Sequence, residues 1–188
     1  MANTSDIRNG LCMEFNHDIY SVVEFLHVKP GKGPAFVRTK LKSLTNGKVV
    51  DHTFPAGHKI VDVRVERRVF QFLYKDDMGY HFMNMETYDQ IALEEKILDH
   101  SEFLLEGMEI DVLFHAAKEI PLTTSMPQHI IQKVVYTEPG ERGNTATNVT
   151  KPAKIESGAE IKVPIFINEG DKVKIETKTG SYLERVKE

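Results

Sequence analysis

Short apolar runs rich in β-branched and aromatic residues, set between polar clusters of turn formers, recur along this chain, which is the pattern of β-strands. Val22-Val-Glu-Phe-Leu-His-Val28 and Ala35-Phe-Val-Arg-Thr-Lys-Leu41 are rich in β-branched and aromatic residues. They flank Lys29-Pro-Gly-Lys-Gly-Pro34, a run of turn formers, so a β-hairpin with a long tip is predicted. Asn46-Gly47 marks a further turn, because both residues tolerate positive φ. Val69–Tyr74 and Tyr80–Asn84 bracket Lys75-Asp-Asp-Met-Gly79 as strand, turn and strand. Helical signals are confined to Glu94–His100 and Ser101–Glu106, where Gly107 would cap the last turn. Many short strands between turns favour small barrels, so the fold class is all-β.

Phe103-Leu-Leu-Glu-Gly-Met-Glu-Ile-Asp-Val112 aligns with Phe166-Ile-Asn-Glu-Gly-Asp-Lys-Val-Lys-Ile175. The shared pattern is a glycine turn feeding an alternating strand, and its offset is one third of the chain. Three tandem modules are expected, at residues 1–64, 65–127 and 128–188, with Pro127 breaking the chain at the second boundary.

Composition narrows the function. The 188 residues carry a net charge of −4, one cysteine and no tryptophan. Cys12 alone excludes an intramolecular disulfide and a multi-cysteine zinc site. No apolar run is long enough to span a bilayer, and the first ten residues lack the core of a secretory signal. A cytoplasmic location with no membrane contact is expected. The acid excess sits in the middle third, where 6 Lys and Arg face 13 Asp and Glu. Lys29, Lys32, Arg38, Lys40, Lys42 and Lys48 instead fall in a stretch without any acid, as contact with a phosphate backbone requires. A solvated strand face would have the same composition.

Catalytic chemistry is poorly provided for. The eight histidines are scattered, with no His-x-x-x-His or His-Glu-x-x-His spacing. No nucleophile elbow or nucleoside-triphosphate loop is present, so no catalytic residue, metal or cofactor is assigned. Pro30-Gly31-Lys32-Gly33-Pro34 is different. The glycines strip neighbouring side chains away, and the prolines fix φ on either side. Lys32 would stand alone as a cation for an anionic, crowded target, and as an accessible amine for covalent modification. Glu138–Asn148 forms a second polar loop, in which Gly143-Asn144-Thr145 could meet nucleotide bases.

These residues resemble the bacterial elongation factor P family over the whole chain. The tip Lys29-Pro-Gly-Lys-Gly33 with Ala35-Phe36, the strand Tyr80-His-Phe-Met-Asn84-x-Glu86-Thr87, and the ungapped run from Lys151-x-Ala153 through Gly158, Ile161, Val163-Pro164 and Ile167 to Gly170 carry the resemblance. It implies an N-terminal SH3-like (KOW-type) barrel and two OB-fold barrels in an elongated, tRNA-like arrangement. It further implies a monomeric, non-enzymatic translation elongation factor that binds the ribosome between the P and E sites, positions peptidyl-tRNA and relieves stalling at consecutive prolines.

By the same resemblance, Lys32 reaches the CCA end of the P-site tRNA. Lys29, Arg38, Lys40 and Lys42 touch tRNA or ribosomal RNA phosphates, and Gly143, Asn144 and Thr145 meet mRNA in the exit site. Two positions depart from the family pattern: Asn144 stands where many members have aspartate, and Pro34 is uncommon where the lysine receives a β-lysyl group. Lys32 would act unmodified, or with a different adduct from a lysine-modifying enzyme. The alternative is a general OB-fold RNA-binding protein or RNA chaperone, although neither candidate loop carries an aromatic for base stacking.

Overall fold

A computed structural model describes residues 2–139 and 150–186. The chain runs through β1 (Ala2–Asn3), β2 (Cys12–Phe15), β3 (Asp18–Val28), β4 (Phe36–Ser43), β5 (Val49–Pro55), β6 (Lys59–Ile60), β7 (Val65–Asp76) and β8 (Gly79–Asn84). It continues through β9 (Gln90–Leu93), β10 (Glu109–His115), β11 (Ile120–Ser125), β12 (His129–Thr137), β13 (Thr150–Ile155), β14 (Glu160–Pro164), β15 (Lys172–Glu176) and β16 (Ser181–Val186). The described residues contain no α-helix, and the fold is all-β. The sheets run β2-β3-β4-β5, β11-β10-β7-β8-β9 and β14-β13-β12-β15-β16, with a separate β1-β6 pair. Compactness groups residues 1–68 with 111–124, and 69–110 with 125–188. This is a different division from the three modules expected at residues 1–64, 65–127 and 128–188.

In the first unit, strand alternation is what builds the barrel. Along β4, Val37, Thr39, Leu41 and Ser43 turn inward, while Arg38, Lys40 and Lys42 turn outward. Val37 and Leu41 join Ile7, Met13, Tyr20, Val22, Phe54 and Ile60 in the core. Thr39 is tolerated inside because its hydroxyl donates to the His52 carbonyl at 2.9 Å. Pairing of Ala2 with Ile60 closes the N-terminus onto the barrel. A second small cluster joins Ile19, Val63 and Leu122.

β2 and β3 are joined by Asn16-His17, with φ of 49° and 62°. That is the left-handed pair a two-residue hairpin requires, here made without glycine. Asn46-Gly47 does not make such a turn. The β4–β5 loop spans five residues, 44–48, closed by the Ser43 amide donating to the Lys48 carbonyl at 2.9 Å, with Gly47 at φ +70°.

In the second unit, the expected helices shrink to two single 3-10 turns, Glu95–Ile97 and Ser101–Phe103. His100 lies between them in the left-handed region, at φ 51°, and interrupts any continuous helix. Gly79 is required where it stands. At φ +130°, a Cβ there would come within 2.7 Å of the Leu93 carbonyl oxygen.

The internal repeat is visible in the hydrogen bonding. Gly107 donates to the Phe72 carbonyl, and the Phe72 amide donates to the Met108 carbonyl, both at 2.8 Å. Gly170 and Val134 repeat the exchange, with Val134 donating to Asp171, both at 2.9 Å. Each receiving strand bulges just beyond this point, between Phe72 and Tyr74 and between Val134 and Tyr136. The two leading phenylalanines have diverged. Phe103 is buried, and its carbonyl accepts from buried Gln132 at 2.7 Å; Phe166 is exposed.

Candidate nucleic-acid interface

The hairpin predicted from the sequence is built by β3 and β4, which stay paired in antiparallel register as far as Val28 opposite Phe36. Beyond that pair, residues 29–34 are all exposed. Proline lacks the amide proton a ladder needs, so pairing stops before Pro30. Gly33 sits at φ +106°, and the ring of Pro30 lies 4.0 Å from where its Cβ would be. The loop therefore folds back on itself through Pro30 and Gly33. No atom approaches within 4 Å of the corresponding point at Gly31. The Lys32 ammonium, between the two glycines, has no hydrogen-bond or ion-pair partner among the described residues.

The outward row of β4 is less uniformly basic than the sequence suggests. The Arg38 guanidinium lies over the Phe36 ring, 5.5 Å from its centroid. Lys40 is paired with Glu24 of β3 at 3.2 Å, and Asp51 of β5 stands opposite it in register. An exposed pair of this kind contributes at most about 1 kcal/mol, but it removes the local charge excess. Lys42 lies between Ser21 and Val49 on the neighbouring strands. Lys29 sits at the base of the tip, exposed. Glu24 and Asp51 are the residues that the acid-free run conceals.

Gly143, Asn144 and Thr145 lie outside the described residues. The segments on either side are anchored. Lys151 is buried, and its ammonium donates to the Glu138 carbonyl at 2.7 Å, while the Thr137 hydroxyl donates to the Pro152 carbonyl at 2.9 Å.

Cys12 and the His81–Asp76 pair belong to the fold. Burial pushes the Cys12 thiol up, with a smaller opposing hydrogen bond from Ser21, which disfavours the reactive thiolate. His81 stacks on Tyr74 with centroids 4.5 Å apart, and its Nε2 lies 2.8 Å from Asp76 Oδ1. That contact holds the Asp76 carboxyl below its usual range. Among the described residues, no three His, Cys, Asp or Glu side chains converge as a metal site would require.

An all-β chain with a lysine-tipped hairpin on its first barrel defines a class: small-barrel proteins that present a cationic finger. Comparison with known proteins is more specific. The domain described as Elongation factor P (EF-P) KOW-like domain matches residues 3–60, the Elongation factor P (EF-P) OB domain matches 65–122, and Elongation factor P, C-terminal matches 130–185. Elongation factor P of Flavobacterium johnsoniae is 62% identical over 188 residues, covering all of both chains. That of Bacteroides thetaiotaomicron is 50% identical over 187 residues, again covering all of both. Among solved structures, eukaryotic translation initiation factor 5A from Methanococcus jannaschii aligns with a TM-score of 0.48 at 20% identity, covering 67% of this chain and 90% of that one. The chain belongs to the elongation factor P family. It is therefore a translation elongation factor of KOW-like and OB modules that interacts with the ribosome, in a class that is not generally enzymatic.

Proposed function

We propose that this factor binds the ribosome between the P and E sites and holds peptidyl-tRNA in a reactive arrangement, so relieving stalls at consecutive prolines. The observation that carries this reading is the isolated Lys32 ammonium at the end of a paired, proline-bounded hairpin. Proline reacts poorly in peptide-bond formation because its ring restricts geometry. Orienting the tRNA end attacks that part of the barrier without a catalytic group from the protein. Lys32 reaches the CCA end, and Lys29, Arg38 and Lys42 meet tRNA or ribosomal RNA phosphates. Lys40 takes part by exchanging its Glu24 partner for phosphate.

The three-module division at 1–64, 65–127 and 128–188 belongs to the same proposal, as do exit-site mRNA contact through Gly143, Asn144 and Thr145, a cytoplasmic location and a monomeric state. The tip acts with Lys32 unmodified or carrying an adduct; intact mass of the native Lys32 peptide separates the two. In vitro translation of a Pro-Pro-Pro reporter tests the function itself. Added protein should relieve the stall and Lys32→Ala should not. Equal stimulation of all messages would point instead to an RNA chaperone.

A further inference from the structure

The β2–β3 hairpin has two faces. Met13 and Tyr20 pair in register and turn into the barrel core. Glu14 and Ile19 form the next pair and turn the other way. Val61 joins that row, because the Glu14 amide donates to the Val61 carbonyl at 2.9 Å and Met13 bridges to Asp62. Opposite the row lies β11. There Leu122 packs on Ile19 and Val63, and Ile120, two residues earlier, takes the same side of the strand. A cavity of about 530 Å³ opens between them, rimmed by Asn16, His17 and Thr45.

Its walls are apolar and fixed. Val61 and Ile120 are 53% and 46% exposed, so apolar surface stays in water at the mouth of the cavity. Behind it, the Val63 amide donates to the Cys12 carbonyl and the Leu44 amide to the Ile19 carbonyl, both at 2.8 Å. A preformed apolar cavity of this size, with a few polar groups, is what a small organic ligand requires.

The polar groups select its charge. Glu14 meets Lys118 across the cavity at 3.6 Å, with both side chains about half exposed. That is longer than the roughly 2.8 Å of a charge-assisted hydrogen bond, and an exposed pair of this kind is weakly held. The Asp18 carboxylate stands at the rim, accepting from the Thr45 hydroxyl at 2.8 Å, and adds a second negative charge. Once Lys118 swings into solvent, the cavity is anionic.

We propose that this cavity binds a small amphiphilic amine, an aromatic or branched aliphatic group carrying one ammonium, which takes Glu14 from Lys118. The apolar body covers Val61 and Ile120 and removes their surface from water. The site lies at the opposite end of β3 from the Lys32 tip and owes nothing to the role proposed for that tip. An occupied cavity holds the β2–β3 face of the barrel against residues 118–122.

Titration of the full-length protein with phenethylammonium chloride, at fixed pH 7 and ionic strength, tests this by NMR of backbone amides. Saturable shifts are expected at Glu14, Ile19, Val61 and Ile120. Phenethyl alcohol, which keeps the shape without the charge, should bind about tenfold more weakly, the scale of one hydrogen bond to a charged group. Glu14→Gln should abolish that preference for the amine. Ile120→Ala should weaken binding severalfold by removing a wall. Lys118→Ala should tighten it severalfold, because the competing ammonium is gone. Absent shifts at those four amides, equal binding of the alcohol and the amine by the parent, or weaker amine binding in Lys118→Ala overturn the proposal.

Discussion

The two ends of β4 carry loops built in opposite ways. At the far end, Ser43–Lys48 is closed by side chains. The Asp18 carboxylate accepts from the Ser43 hydroxyl at 2.6 Å, the Thr45 hydroxyl at 2.8 Å and the Ile19 amide at 2.7 Å. The Ser43 oxygen in turn accepts from the amides of Thr45 and Asn46. At the near end, residues 29–34 have no such network among the described residues, and only Pro30 and Pro34 restrict their backbone. The first loop spends its polar groups on folding. The second leaves an ammonium unspent, on a glycine-flanked residue that only the two outer prolines constrain. Stability and contact are thus assigned to different ends of one strand, and substitutions should separate them.

The largest effect is expected at the bare loop. Lys32→Ala should slow Pro-Pro bond formation by about tenfold to a hundredfold, the scale on which lost positioning is felt. Its unfolding free energy in urea should change by no more than an exposed-site substitution does, about 0.5 kcal/mol. Translation kinetics and denaturation on the same preparation check both halves. A large loss of stability would show that the tip is part of the fold.

Ser43→Ala should do the reverse. Ser43 is 1% exposed, and its removal deletes a hydrogen bond to a carboxylate, costing about 1.5–3 kcal/mol. Rescue per folded molecule should be unchanged. A variant as stable as the parent would contradict the structural role of this loop.

A smaller effect should appear in acid. Burial raises the Asp18 pKa, but hydrogen bonds from Ser43, Thr45 and Ile19 together outweigh it and hold the carboxyl below its usual value. A depressed pKa stabilises the fold above the unfolded value, near about 3.9, and that contribution is lost as pH falls through the lower folded value. Unfolding free energy measured from pH 5 downward should therefore drop in the parent and drop less steeply in Asp18→Asn. Parallel curves would show that the carboxylate is not held by these bonds.

The smallest effect belongs to Pro34→Ala. Freeing φ at an exposed tip residue costs about 0.4–1 kcal/mol of preorganisation, which the Pro-Pro-Pro reporter should read as a loss of a few-fold. No change would mean that Pro34 does not preorganise the tip.

How much of this was legible in the sequence depended on distance along the chain. The β3–β4 hairpin could be read because β-branched and aromatic enrichment and the Pro-Gly tip are local. The repeat was legible as a ten-residue pattern, and the matched Gly107 and Gly170 exchanges give it a structural cause. The pairing of Lys40 with Glu24 was not legible, because the partner lies across a bulged register. Asn16-His17 was missed since the turn uses left-handed residues other than glycine. Glu94–Glu106 looked helical by composition, yet a left-handed His100 divides it. The cavity between the β2–β3 hairpin and β11, assembled from residues as far apart as Glu14 and Ile120, left no pattern to read.

The central claim concerns where one amine goes. A cryo-EM reconstruction of the factor on a ribosome stalled at consecutive prolines would test it most directly. The account predicts density for the Lys32 side chain within hydrogen-bond reach, about 3 Å, of the terminal nucleotides of the P-site tRNA. A hairpin directed elsewhere, with Lys32 in solvent or against ribosomal protein, would contradict it.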